Sequence, residues 1–436
     1  MDNTILLAGY GRKDITPSKP VHIAGGNWRG RVSESVLDPL KTTCVALKMG
    51  DNTFLLYTLD LKVTTKNITN PARAYISNAT GVPEENVLLT ATHTHSSVAT
   101  RYTWDGVEEY KDFFYEACAQ AAQEAIADLA EAQLFVGSTQ TEGLTFVRHY
   151  LMNDGTVSGS AFGDPSSGYK RHMRPSDGEL QLVKLCREGK KDIVLLSFPC
   201  HGTFQGNGKV LSADWVGPAR DHIEANSNSL VAIFQGASGD QTPGSRIPGL
   251  AFKDYNLHGQ KLGDYAMAAL PGLKKIVPTK LEQTRRSIIF PVNKKKLEKL
   301  DDAVKIMELV RTLGGASQEV KDALKESGIC SRYEANWMII RSKEGDEADI
   351  EPCVLNLGTM AFVLAPYEMF SEQGKYIKEL CPLEQAFIAT CFDGSFNYIS
   401  SKECFDYDCY ESQCCYFARG TAEELADIYI DMMKEE

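Results

Sequence analysis

Leu88-Leu89-Thr90-Ala91-Thr92-His93-Thr94-His95-Ser96 is a short apolar, β-prone run that ends in two histidines one residue apart. Alternation along an extended segment puts both imidazoles on one face. Such a pair at a strand end can hold a divalent metal, or divide the work between one ligand and one acid/base; it can also be an ordinary polar pair at a strand edge. The chain has only eight histidines, which makes the juxtaposition informative. A second apolar strand, 193–198, runs out into Pro199-Cys200-His201-Gly202-Thr203, and a third, 361–365, into Pro366-Tyr367-Glu368. Three strand ends therefore offer His93, His201 and Glu368, a two-histidine, one-carboxylate set suited to a catalytic zinc with an open position. These residues lie far apart in sequence, so spacing alone does not bring them together.

Outward from these strands the pattern is α/β, with mixed β-sheets flanked by helices. Strands are expected at 42–49, 54–61, 87–92, 133–137, 179–185, 193–198, 230–234, 353–365 and 385–391, where β-branched and apolar residues cluster. Helices are expected at 71–77 and at 108–130, the latter with Tyr110, Phe113, Phe114, Ala117, Ala121 and Ala125 on one stripe. Others follow Ser212 as N-cap to about 225, span 257–270, and close the chain at 421–433 with Thr421 as cap. From 147 to 174 the composition turns to Gly, Ser and Asp without periodicity, as in a long functional loop or lid. Residues 291–345 are rich in Lys and Glu and lack a strand, which suggests an inserted helical pair. No repeats and no Pro-, Gly- or Ser-rich linker are evident, so a single domain over 1–436 is expected.

At 436 residues, 43% hydrophobic and 24% charged, the composition is that of a soluble globular protein. A net charge of −12 and a pI near 5.3 argue against a nucleic-acid partner. No basic amphipathic stretch suggests docking on an anionic membrane, and no segment approaches the apolar length needed to span one. The first residues lack the charged and apolar regions of a signal peptide, so a cytoplasmic location is expected. Most of the twelve cysteines stand singly in apolar surroundings, as buried reduced thiols do. Cys404, Cys409, Cys414 and Cys415 crowd together; a structural metal or redox pair is one reading, reduced thiols in a loop the other.

Taken together, Gly11-Arg12-Lys13-Asp14-Ile15-Thr16-Pro17, Thr92-His93-Thr94-His95-Ser96, Cys200-His201-Gly202-Thr203, Gly239-Asp240-Gln241-Thr242-Pro243 and Asn397-Tyr398-Ile399 resemble, in order, the motifs of the neutral/alkaline (non-lysosomal) ceramidase family. The resemblance implies that family's catalytic fold and a Zn2+ held by His93, His201, Glu368 and Tyr398. It implies that His95 faces the substrate and transfers protons, and that Tyr410, at the family's spacing beyond the ligand tyrosine, lies in the site. Arg148 is the nearest match to a substrate-contacting arginine. Tyr410 or Arg148 would then stabilise an oxyanion, and Asp240 would orient a zinc-bound histidine or the water. Each also has a plain structural reading: Tyr398 as packing, Asp240 as a turn cap, Arg148 as a loop brace.

The chain departs from the family as well. Thr242 stands where members have serine, which fits a metal-activated water better than a serine nucleophile. Ser97-Val98-Ala99 replaces the usual Gly-Pro wall. The immunoglobulin-like C-terminal domain of full ceramidases is not expected here, and ceramide within a membrane is an awkward substrate without it. The expectation is a zinc-dependent hydrolase that cleaves an amide bond in a small or lipid-like N-acyl substrate. Ester or lactone hydrolysis on the same scaffold, and a non-catalytic binding protein that keeps the fold, are the competing classes. Gly236-x-x-Gly239 lacks the signatures of a nucleotide loop, and the oligomeric state is not legible.

Overall fold

The computed structural model describes residues 5–25, 30–104, 106–159, 168–206, 208–245, 247, 254–394 and 396–435. Of the loop expected over 147–174, residues 160–167 lie outside the described residues, as do the first four residues of the chain read for a leader.

Eight strands build the main sheet: β1 (Leu6–Asp14), β2 (Lys41–Met49), β3 (Asn52–Leu59), β4 (Val87–Ala91), β5 (Ala130–Gln140), β6 (Glu179–Arg187), β7 (Asp192–Phe198) and β8 (Ser229–Gln235). They lie in the order β8-β7-β6-β5-β1-β2-β3-β4, and a ninth, β9 (Lys274–Ile276), pairs with β5. Helices α1 (Lys66–Thr80) and α3 (Val216–Asn226) make the crossovers β3-α1-β4 and β7-α3-β8, the two parallel pairs in a sheet that is otherwise antiparallel. With α2 (Val107–Ala127) and α4 (Tyr255–Ala269), the chain writes β-β-β-α-β-α twice, with the same pairing directions each time. No sequence repeat announces this doubling, because each half fills its core with different side chains.

The sheet does not lie open. Its two outermost strands, β8 and β4, come back into contact, and side chains from the first half close onto the β8 backbone. Tyr10 Oη and Arg12 Nη2 donate to the Val231 carbonyl at 3.0 and 2.5 Å, and Thr58 Oγ1 donates to the Ile233 carbonyl at 2.5 Å. Arg12 also pairs with Glu224 at 2.8 Å. An edge that would otherwise expose a row of carbonyls is thereby satisfied.

Inside the curl, Leu47, Leu56, Val136, Leu195 and Phe234 pack against one face of a second sheet. That sheet runs β10 (Glu282–Arg285), β11 (Cys353–Asn356), β12 (Met360–Leu364) and β13 (Gln385–Ala389). Its inner face supplies Leu355, Phe362 and Phe387. Its outer face, with Val354, Val363 and Ile388, is covered by helix α11 (Thr421–Lys434) through Leu425 and Tyr429, while α8 (Ser371–Glu379) adds Ile377. Helices α1 and α2 cover the outside of the first half, and α3 and α4 that of the second.

Helix α2 approaches β1 closely at its glycines. A Cβ built at Gly11 would lie 2.0 Å from the Ala121 carbonyl oxygen, and one at Gly9 1.9 Å from that of Ala125. Gly11→Ala is expected to force the helix off the sheet and cost about 3 kcal/mol. The urea midpoint measures this; an unchanged midpoint would mean that the helix rides up freely.

Several local expectations are corrected. The 147–174 stretch is not featureless: Tyr150–Met152, Val157–Ser158 and Tyr169–His172 form a small sheet. The expected single strand over 353–365 is a hairpin, β11 and β12, broken where Asn356 caps Gly358. Ser212 does not cap α3; its hydroxyl binds Asp38 at 2.5 Å and accepts the Asp214 N–H, and the helix begins at Val216. Thr421 opens α11 rather than capping it, the cap being Gly420 in the left-handed region. Residues 291–345 hold three helices, α5 (Leu300–Leu313), α6 (Gln318–Ser327) and α7 (Arg332–Arg341), not two. Gly314 and Gly328 end the first two, and the paired strands Ile288–Pro291 and Glu347–Ile350 close their base.

Candidate metal centre

Strand β4 ends at Ala91, and the chain leaves the extended state at once: His93 has φ of 64°. The two imidazoles therefore do not share a strand face by alternation, as the spacing suggests; a turn brings them together instead. Thr92 N–H donates to Leu59 O at 2.8 Å and His93 N–H to Leu61 O at 2.9 Å, which holds the turn in place. The two Nε2 atoms then lie 3.3 Å apart. Left-handed backbone costs a β-carbon-bearing residue about 1–2 kcal/mol, and such strain persists where the surroundings over-determine it.

His201 arrives from the end of β7, in the other half of the sheet. A Cβ at Gly202 would lie 3.0 Å from Thr94 Cα, so a larger residue would have to push this loop away from the histidine turn. His95 N–H donates to Gly202 O at 2.9 Å, and the His93 and His201 rings come to 4.6 Å between centroids. Because β4 and β7 stand near opposite ends of the strand order, the curl of the sheet is what makes this meeting happen. Glu368 enters from the second sheet, in a two-residue strand that pairs in parallel with Tyr398–Ile399, Glu368 standing opposite Tyr398.

The protons can be assigned from the partners. His93 Nδ1 faces the Lys62 carbonyl at 2.7 Å, and His201 Nδ1 faces the carbonyls of Ser238 and Gln241, each at 2.8 Å. Carbonyls only accept, so both rings carry hydrogen on Nδ1 and turn a lone pair inward on Nε2. Between those lone pairs sits Glu368 Oε2, 3.1 Å from His93 Nε2 and 3.2 Å from His201 Nε2. Three buried acceptors thus face one another, and His201 Nε2 and Glu368 Oε2 have no hydrogen-bond partner. A proton meets this need in part. Burial opposes the charged form of His93, yet Cys391 and Glu368 lift its pKa to about 10; burial and Arg148 push His201 down to about 4. A divalent cation satisfies all three donors at once. Their separations match the edge of roughly 3.3 Å of a tetrahedron with ligands about 2.0 Å from its centre.

His95 also lies within this spacing of His93, and one ring nitrogen from each of His93, His95 and His201 falls within 4.8 Å of the others. The geometry admits it as a ligand as well as a proton carrier. Beside the histidines stands an aromatic and cationic wall. The Arg148 guanidinium lies 5.4 Å from the Tyr398 ring centroid and 5.8 Å from that of Tyr410. The two tyrosine rings are 5.8 Å apart, and the Tyr398 ring is 6.4 Å from that of His201. Tyr333 of α7 meets Tyr410 edge-on at 5.4 Å, so the helices of 291–345 buttress this wall.

Asp240 is placed otherwise than expected. Its carboxylate accepts Ser371 N–H at 2.7 Å and Ser371 Oγ–H at 2.9 Å and pairs with Arg174 at 3.3 Å, not with the imidazole of His93 or His201. The neighbouring carbonyls of Ser238 and Gln241 orient His201 instead. Asp240 pins the start of α8, and with it the segment that carries Glu368. Thr242 pairs through its backbone with Phe146.

Sequence reasoning missed three contributors. Buried Arg31 donates to the carbonyls of Ala24, His95 (2.8 Å), Gln205 (3.0 Å) and Gly208 (2.7 Å) and to Ser96 Oγ, lashing down the turn that carries His95. Lys62 contributes the main-chain oxygen that holds His93, and its buried ammonium joins burial in lowering the His95 pKa. Glu411 is wholly buried and holds Arg148 at 2.5 Å and His149 at 2.8 Å. Burial alone would raise its pKa; Arg148 and His149 override that and hold it at about 2. A carboxylate beside Tyr410 in sequence was the available signal.

No protein-family model and no curated protein matches this chain. Solved structures do. A neutral ceramidase from Pseudomonas aeruginosa superposes with a TM-score of 0.72 at 16% identity, over 99% of this chain and 74% of that one. A ceramidase complexed with C2 gives a TM-score of 0.72 at 15% identity, over 99% and 75%. The chain therefore has a neutral-ceramidase-like α/β fold. Among the described residues, no helix is long and apolar enough to cross a membrane.

Proposed function

We propose that this chain, with its neutral-ceramidase-like fold, is a zinc-dependent hydrolase that cleaves the amide bond of a lipid-like or small N-acyl substrate. One observation carries the reading: the Nε2 atoms of His93 and His201 meet the Glu368 carboxylate at 3.1 and 3.2 Å in a buried spot, where His201 Nε2 and Glu368 Oε2 have no hydrogen-bond partner. His93, His201 and Glu368 would hold Zn2+, with Tyr398 as the fourth ligand. Bound there, the ion would polarise the scissile carbonyl and bring the pKa of an attacking water to about 7. His95 would take the proton from that water and return it to the departing amine. Arg148 and Tyr410 would donate to the oxygen that gains charge as the carbonyl becomes tetrahedral. Asp240 would act at one remove, by fixing Glu368 through Ser371. The whole of 1–436 would serve as one catalytic unit, with α5 to α7 bracing the site.

The test is metal analysis of the purified chain together with turnover of a short-chain ceramide and of matched amide and ester pairs. Amide cleavage that stops with chelator and returns with Zn2+ is expected. Undiminished turnover in zinc-free protein would end the reading, and cleavage of the ester partners alone would move it to ester or lactone chemistry.

A further inference from the structure

Behind Arg148 lies a second group of chemistry-bearing side chains that the hydrolytic reading does not use. His149, Cys404 and Cys409 are each fully buried, and one donor atom from each falls within 4.8 Å of the other two. His149 Nε2 is held by Glu411 at 2.8 Å, which places the ring hydrogen on that nitrogen and leaves the Nδ1 lone pair facing the cysteines. Nδ1 lies 3.7 Å from Cys404 Sγ and 3.2 Å from Tyr407 Oη, and Cys404 Sγ lies 3.1 Å from Tyr407 Oη. Cys409 Sγ accepts the Ser412 N–H at 3.4 Å.

We propose that His149, Cys404 and Cys409, with Tyr407 completing the set, form a second metal site for a thiophilic divalent cation of the Zn2+ class. Three arguments support it. The donor set of one nitrogen, two sulfurs and one oxygen is the chemistry of a closed, tetrahedral structural site, and edges of about 3.3–3.8 Å are expected from metal–nitrogen distances of about 2.0 Å and metal–sulfur distances of about 2.3 Å. A carboxylate on the far side of the ligating imidazole is the usual way such a ring is oriented. The charges also close: two thiolates balance one divalent ion, and Glu411 balances Arg148, so nothing buried is left uncompensated. Binding releases two protons from the histidine and cysteines to solvent, with no oxidant or reductant required.

The crowding of cysteines leaves a structural metal open as one reading, but the histidine lies in a different part of the chain from Cys404-x-x-Tyr407-x-Cys409 and gives no sign of joining them. Among the described residues the other buried cysteines gain no such partner set; Cys44 and Cys118, for example, sit in the apolar core between α2 and the main sheet. The site stands on its own donors and does not depend on the reading of the first. Its bound ion would fix His149, hence Glu411, hence the guanidinium that lies over Tyr398 and Tyr410.

Loading the full chain with Co2+ tests it. Two equivalents per chain are expected, with thiolate-to-cobalt charge-transfer absorption in the near ultraviolet. The Cys404→Ser/Cys409→Ser variant should lose that band and one equivalent. The His93→Gly/His201→Ala variant should lose the other equivalent and keep the band. Should the cysteine variant misfold, native wild-type protein answers through alkylation: Zn2+ should protect Cys404 and Cys409, and chelation should expose them. Absence of a thiolate band, its survival in the cysteine variant, or labelling of the two cysteines that ignores Zn2+ would each overturn the proposal.

Discussion

Replacing His93 by glycine is expected to remove the metal from the candidate centre and lower turnover by about 10³–10⁴, at a smaller cost in stability than truncation of a buried ring usually carries. The first half follows from donor geometry: without that imidazole the pocket keeps His201 and Glu368 but loses the lone pair that completes their contact. Losing a Lewis acid worth several kcal/mol in the transition state gives a rate loss of that order. The second half follows from the backbone. At φ of 64° glycine is at ease where histidine is strained by about 1–2 kcal/mol, and that relief offsets much of the packing lost with the ring. His201→Ala provides the contrast. It should remove the metal equally but also cost about 1–3 kcal/mol, because the Ser238 and Gln241 carbonyls lose their shared donor in a buried setting. Metal content, thermal midpoint and turnover of both variants check the pair of claims. A glycine variant that retains its ion would show that the histidine is not a ligand.

The second large effect is expected at Glu411. Its carboxylate pairs with both Arg148 and His149, and all three are buried. Glu411→Ala should destabilise the protein by about 3–5 kcal/mol, since one charge of a buried pair is left without its counterpart. Turnover should fall too, because Arg148 would no longer be held over Tyr398 and Tyr410. A companion variant separates charge from shape: Arg148→Met/Glu411→Leu removes both ions, and most of the stability should return while turnover stays low. Urea titrations of the single and double variants decide it. A double variant as unstable as Glu411→Ala would mean that cavity formation, not the stranded charge, dominates.

The parts of this architecture that were legible in the sequence are those governed by local burial. The segments 87–92, 193–198 and 230–234 announce themselves as strands because they are apolar on both faces, and in the structure they form β4, β7 and β8. The ends of the helices were less legible. Ser212 and Thr421 look like caps by residue type, but Asp38 claims the first and Gly420 supplies the left-handed turn before the second. The convergence of His93 with His201 was hidden for a deeper reason. It depends on how far the sheet curls, which in turn rests on contacts such as Tyr10 and Thr58 with the backbone of β8. Glu411 and Arg31 escaped notice because their partners come from remote segments or are main-chain carbonyls, and neither leaves a periodic trace.

The way the main sheet closes has a further consequence. The centre straddles a seam between the two halves of one continuous sheet, held by side chains such as Tyr10, Arg12 and Thr58, by the buried Arg220–Asp60 pair and by scattered main-chain bonds rather than by a regular strand ladder. A parting of that seam by an ångström or two would scatter the donors while every strand kept its neighbours. Chemistry assembled in this way depends on the closure of the scaffold as much as on the strands that carry its residues.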